Sequence, residues 1–176
     1  FCKMISTGDG LGDQNDPVSR GFHIENGTLI KFVEVTDDTE ITVQASVTII
    51  GDEAFRYCRK IRKVVIPESV TIISQFAFAR CETIEEIVLP ESLTYVGDFA
   101  FYNMSSLRKI TIPAKLSSIG GGAFIYCDKL AEFEIDENNS SYATDGKALY
   151  SKDFSELVYI PSLSSDYTIP ESVEVI

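Results

Sequence analysis

Apolar residues return along this chain at fixed offsets within a 23-residue unit that repeats four times without insertion. The units start at Ile50, Ile73, Val96 and Ile119. Their fifth positions are Ala54, Ala77, Ala100 and Ala123, and their sixth are Phe55, Phe78, Phe101 and Phe124. The ninth reads Cys58, Cys81, Met104 and Cys127. One such unit cannot bury its apolar side alone. A period held this strictly therefore predicts stacked coils, in which each sequence column becomes a row along the stack.

Positions twelve, fifteen and seventeen are apolar throughout: Ile61/Val64/Ile66, Ile84/Ile87/Leu89, Leu107/Ile110/Ile112 and Leu130/Phe133/Ile135. The last two of each set are two apart and face one side of a short strand. Successive strands are predicted to stack in parallel about 4.8 Å apart. Pro67, Pro90 and Pro113 follow the strand and end its ladder, since proline has no N–H. Asp136 stands there in the fourth unit, so the regular pattern is expected to stop. Glycine at Gly51, Gly97 and Gly120, with Ser74 once, suits a bend.

The flanks carry the same logic. Residues 41–47 match residues 64–70 in register, which predicts a degenerate half-repeat before Ile50. Residues 167–173 restart the pattern, and the sequence ends where the next unit would begin, as in a piece of a longer array. Between them, residues 137–166 break the period. Residues 145–150 and 156–161 read as a hairpin excursion, with a comparable segment at residues 22–32. Residues 1–20 are polar and are expected to be a flexible segment, leaving residues 21–176 as one solenoid domain.

The run Ile-Gly-x-x-Ala-Phe-x-x-Cys-x-x-Leu-x-x-Ile-x-Ile-Pro-x-Ser-Val resembles the BspA-like leucine-rich repeat. Residues 50–70 and 119–135 carry it best, and residues 139–152 resemble the insert frequent between such repeats. The resemblance covers roughly residues 21–176. It departs at Ser74, Asn103, Met104 and Lys115, single changes expected to leave the fold unaffected. It implies a leucine-rich-repeat right-handed solenoid with a parallel β-sheet on one face. Short turns or 3-10/helical segments would form the other face, with short β-hairpin excursions. It also implies a secreted or surface-attached bacterial protein. The partner would be a host matrix or mucosal protein, a glycan or another microbial surface.

Charge narrows the partners further. Twenty-seven acidic against 15 basic side chains give −12, which argues against nucleic acid and anionic membrane. No apolar run reaches the length of a membrane span, so no membrane insertion is expected. Cys58, Cys81 and Cys127 share a core column with Met104 and read as buried, inert thiols. Cys2 stands apart from them.

The outward strand positions are the candidate contact surface. Column fourteen reads Lys63, Glu86, Lys109, Glu132; column sixteen reads Val65, Val88, Thr111, Glu134. Column thirteen reads Arg62, Glu85, Arg108, Ala131. Alternating signs fit a self-satisfied ladder or a charge-patterned recognition surface, and the valines fit strand formers or an apolar patch. Tyr57, Tyr102 and Tyr126 lie off the core columns, and Tyr150, Tyr159 and Tyr167 lie in the excursion; all six fit exposed aromatics of an interface or rings partly packed against neighbouring coils. Catalysis and cofactors find no support. His23 is the one histidine and reads as an exposed strand residue. Gly120-Gly121-Gly122 lacks the Lys-Ser/Thr of a phosphate loop. The oxygen-rich runs at residues 9–16 and 136–139 do not fit calcium-loop spacing, so no metal is expected. Asn26, Asn103, Asn138 and Asn139 each open a glycosylation sequon.

Overall fold

Each unit forms two short strands, and like strands of successive coils lie side by side. The computed structural model describes residues 21–34, 37–160 and 167–176. Strands β1 (Phe22–Glu25) and β2 (Thr28–Phe32) form an antiparallel hairpin. The coils that follow carry β3 (Glu40–Thr42) and β4 (Ile49–Ile50), β5 (Lys63–Val65) and β6 (Ile72–Ile73), and β7 (Glu86–Val88) and β8 (Tyr95–Val96). Next come β9 (Lys109–Ile112), β10 (Ser118–Ile119) and β11 (Glu132–Ile135). Together they make a β-solenoid of about five turns. Ile41 pairs with Val64, so residues 41–47 are the half-repeat that the register predicts.

The back of the solenoid differs from the expectation. The two-residue strands β4, β6, β8 and β10 join the β1–β2 hairpin in a second ladder, β1-β2-β4-β6-β8-β10, parallel from β2 onward. No helix occurs among the described residues, so the helical segments have no counterpart. Two residues per strand are too few to show alternation in sequence, which is why this ladder is invisible there.

The front sheet is split. β3-β5-β7 form one ladder and β9-β11 another. At the junction the Arg108 N–H reaches the Glu85 carbonyl at 3.4 Å; the equivalent bonds on either side are 2.7 Å (Glu85 to Arg62) and 3.1 Å (Ala131 to Arg108). The core rings echo this. Phe55–Phe78, Phe78–Phe101 and Phe101–Phe124 centroids lie 4.6, 5.8 and 5.4 Å apart, near-parallel at 7°, 20° and 13°. Met104, fully buried where the neighbouring coils carry the smaller cysteine, lies in the coil on one side of this junction. The row continues through Phe32 and Phe22 at one end and meets Phe133 and Tyr159 at the other.

The turn side has its own ladder. Phe55 N–H donates to Ala77 O at 2.7 Å and Tyr57 N–H to Ala79 O at 3.1 Å, and later coils repeat the scheme. This arrangement requires left-handed backbone twice per coil. The fourth positions are Glu53, Phe76, Phe99 and Gly122, with φ of 56°, 54°, 55° and 66°. The eighth are Tyr57, Arg80, Asn103 and Tyr126, with φ of 67°, 60°, 54° and 62°. Such backbone costs a non-glycine residue about 1–2 kcal/mol; hydrogen bonds between coils on both sides hold it. Glycine at position two serves close approach more than bending. A Cβ on Gly97 would lie 2.7 Å from the Gln75 backbone nitrogen.

The turn after the front strand outlasts its proline. Val70, Leu93 and Leu116 N–H donate to Pro67, Pro90 and Pro113 O, and Asn139 N–H donates to Asp136 O at 2.9 Å in the same way. The pattern therefore runs one turn further than expected. Asn139 then fixes the exit: its Nδ2 donates to Pro113 O (2.7 Å) and Leu116 O (3.0 Å), and its Oδ1 accepts from Ser141 N and Tyr142 N (both 2.9 Å). It is 1 % exposed, so its sequon is buried structure.

The excursion is a three-stranded antiparallel meander, β12 (Tyr142–Thr144), β13 (Leu149–Ser151) and β14 (Leu157–Tyr159). It has one strand more than the predicted hairpin. β13–β14 is the counterpart of β1–β2. Glu174 and Val175 N–H donate to Ser155 O as Thr48 and Ile49 N–H donate to Gly27 O.

Candidate functional site

Register places the predicted contact residues on the open side of the front strands. Lys63 stands opposite Glu86 and Val65 opposite Val88; Lys109 stands opposite Glu132 and Thr111 opposite Glu134. The split between β7 and β9 divides them into two patches.

The charges largely answer one another. Lys63 Nζ lies 3.1 Å from Glu86, and Glu85 sits between Arg62 (3.3 Å) and Arg108 (4.0 Å). Lys109 does not take Glu132, its register partner; it reaches diagonally to Glu134 at 2.6 Å. Thr111 Oγ1 donates to the same carboxylate at 3.2 Å. The Lys109 and Thr111 hydrogen bonds hold the Glu134 carboxyl below its usual range, and Glu134 raises the Lys109 ammonium. Val65 is half-buried and Val88 is 39 % exposed, a small apolar pair beside the Lys63–Glu86 bridge.

The aromatics divide sharply. Tyr57 and Tyr126 are exposed, and Tyr102 is half-buried with its ring 5.4 Å from Tyr126 at 81°. Of the excursion tyrosines, Tyr150 is fully buried and Tyr159 packs against Phe124 and Phe133 with its hydroxyl donating to Cys127 O at 3.3 Å. Tyr167 donates to Asp145 at 2.6 Å. Tyr159 closes the end of the main core, while Tyr150 sits in a second, smaller cluster with Ala148 and Leu157, against which Tyr167 packs. A hollow of about 380 Å³ borders Tyr126, between Asp128 and the Val158–Ile160 stretch.

Sequence reasoning missed what surrounds Tyr57. The Arg56 and Arg80 guanidiniums lie over its ring at 5.0 and 5.6 Å. Arg56 also pairs with Glu53 and lies over Phe76, which stacks on Phe99 at 5.1 Å. The left-handed positions that bring these groups together have no signature in hydrophobic periodicity.

The thiols are unreactive in kind. Cys81 and Cys127 Sγ donate to Phe55 O (3.0 Å) and Phe101 O (3.1 Å). Burial pushes the Cys127 thiol up to about 12; the neighbouring Cys81 thiol, then burial, push Cys58 up. Cys58, Cys81 and Cys127 are free and buried, and Cys2 lies outside the described residues. His23 is a half-exposed residue of β1, 3.1 Å from Glu25. Asp136 Oδ1 accepts from Asn138 N (2.8 Å) and Nδ2 (3.1 Å), forming a turn. The run at residues 9–16 lies outside the described residues. No three potential metal-ligating side chains converge among the described residues. No helix among them is long and apolar enough to cross a membrane.

The family described as BspA type leucine rich repeat region matches residues 31–153, in six copies. Among solved structures, a leucine-rich repeat protein from Eubacterium ventriosum is similar at 25% identity and a TM-score of 0.63, covering 85% of this chain and 49% of that one. The pneumococcal vaccine antigen PcpA is similar at 26% and 0.59, covering 78% and 41%. A leucine rich cell surface protein from Faecalibacterium prausnitzii is similar at 25% and 0.51, covering 77% and 49%. The chain thus spans about half the length of these structures or less. No curated protein matches it in sequence.

Proposed function

The chain belongs to the BspA-type leucine-rich-repeat family, and on that premise we propose that it is a non-enzymatic binding or adhesion module of a bacterial protein that is secreted or held at the cell surface. It engages a protein or glycan through the front strand face and adjacent loops. Host matrix or mucosal components and other microbial surfaces are the partners in view. The observation that carries this reading is the front face itself, where outward residues of successive coils stand in register with an apolar Val65–Val88 pair left open. The names of two similar structures, a vaccine antigen and a cell surface protein, support the location. The burial of Cys58, Cys81 and Cys127 and the single histidine support the absence of catalysis.

One observation favours a second reading, a passive spacer within a longer surface protein. Four cations of the face already hold carboxylates of the face. A screen of the purified chain against immobilised matrix proteins, mucin and bacterial cells separates the two, run beside a Val65→Ser/Val88→Ser/Lys109→Ala variant. The binding module loses its ligand in the variant with unchanged melting. Binding that survives the variant sinks the strand face, and no binding at all favours the spacer.

A further inference from the structure

The eighth positions of the coils form a row that the front face does not explain. Tyr57, Arg80, Asn103 and Tyr126 all hold left-handed backbone. Glycine or asparagine suits that conformation, yet three of these four are large side chains. Large residues held against the preference of their own backbone mark positions kept for the side chain, unless packing repays them. Contacts with Arg56 and Arg80 hold one face of Tyr57 and Tyr102 braces Tyr126, yet the two rings remain 45 % and 59 % exposed. Arg80 is exposed too, and no carboxylate among the described residues lies within ion-pair distance of it. Asn103 is half-buried and gives its Nδ2 to Glu82 at 3.3 Å, a bond that does not use its Oδ1.

We propose that this row binds a linear glycan bearing carboxylates. The Tyr126 ring, braced by Tyr102, takes the C–H face of one pyranose. Asn103 Oδ1 accepts a sugar hydroxyl, and the Arg80 guanidinium takes the carboxylate of a unit further along. The pitch of the row is that of the coils, about 4.8 Å, so Arg80 and Tyr126 lie roughly 10 Å apart. The span suits consecutive units of one extended sugar chain. An open ring with polar groups at one-coil intervals matches a sugar, which offers an apolar face and a polar rim. A peptide adding as a strand would need an open sheet edge, and a proline-rich one an aromatic-walled groove; the row supplies neither. The Arg80 guanidinium rests on the Tyr57 ring at 5.6 Å, beside Arg56, and holds no carboxylate among the described residues; this local positive charge, on a chain of net −12, selects the acidic glycan over a neutral one.

The test is calorimetric titration of the chain with hyaluronan oligosaccharides, with dextran as the neutral counterpart. Arg80→Gly and Tyr126→Gly remove the side chains while glycine keeps the backbone, and melting curves verify that both variants fold. Hyaluronan binding that falls at least tenfold in each variant, is absent for dextran, and is unchanged in Lys109→Ala supports the proposal. Lack of hyaluronan binding, equal dextran binding, or full affinity in either glycine variant overturns it. Loss in Lys109→Ala overturns it as well and assigns the glycan to the front face, so the two surfaces are judged separately.

Discussion

Replacing Phe78 by alanine removes the middle ring of the core row. The ring is fully buried, stacked on Phe55 at 4.6 Å and on Phe101 at 5.8 Å. Phe→Ala in a core costs about 3–5 kcal/mol, more when the site cannot collapse. Collapse is restricted here, because the coils on either side are fixed by the Phe55 N–H to Ala77 O (2.7 Å) and Phe78 N–H to Ala100 O (2.8 Å) bonds. The upper part of that range, about 4–5 kcal/mol, is therefore expected. For a chain of this size each kcal/mol lowers the melting temperature by about 2–4 °C, so the drop is roughly 8–20 °C. Stability in stacked coils is a sum of neighbour interfaces, and Phe78 serves two of them. Urea unfolding followed by circular dichroism reads the loss, with the exposed Val88→Ala as reference. A Phe78→Ala loss below about 1 kcal/mol, or equal to that of the reference, refutes the ring row as the core's backbone.

Asn139→Ala should destabilise by more than a typical surface change. It strands the Pro113 and Leu116 carbonyls and the Ser141 and Tyr142 N–H groups, each at about 1–3 kcal/mol where water cannot reach; thermal melting measures it. Alkaline pH should weaken the fold. The Cys127 thiol is raised from its ordinary value near 9 to about 12 and the Tyr142 phenol from near 10 to about 12. Folded values above the unfolded ones mean that this contribution is full below pH 9 and lost as pH rises toward 12. Unfolding curves at pH 7 and 10.5 should show lower stability at the higher pH. In the same series Cys58, Cys81 and Cys127 should resist an aromatic disulfide reagent until the chain unfolds.

The fixed period made the front strands, the phenylalanine row and the buried thiols legible, because each is one column at one depth. It concealed what depends on backbone conformation or on diagonals. Tyr57 and Arg80 carry no mark of left-handed φ, since the residues that usually announce it are glycine and asparagine. The two-residue strands offer no alternation. Lys109 choosing Glu134 over Glu132 is a diagonal that column reading ignores. Met104 looked neutral as a letter, yet it stands where the front sheet parts. For Tyr150 the sequence leaves exposed and packed both open, because the excursion has no repeat to show which side faces inward; the meander buries it.

Both proposed surfaces depend on residues 23 apart being neighbours on successive coils. Paired cysteines test this directly: Lys63→Cys with Glu86→Cys stand opposite each other in the β5–β7 register. Their Cα atoms should lie about 4.8 Å apart, within reach of a disulfide. Mild oxidation should cross-link this pair quickly, as seen by mass spectrometry after proteolysis. Lys63→Cys with Val88→Cys, two residues out of register, should stay open. Equal cross-linking of both pairs, or of neither, would contradict the stacked-coil account.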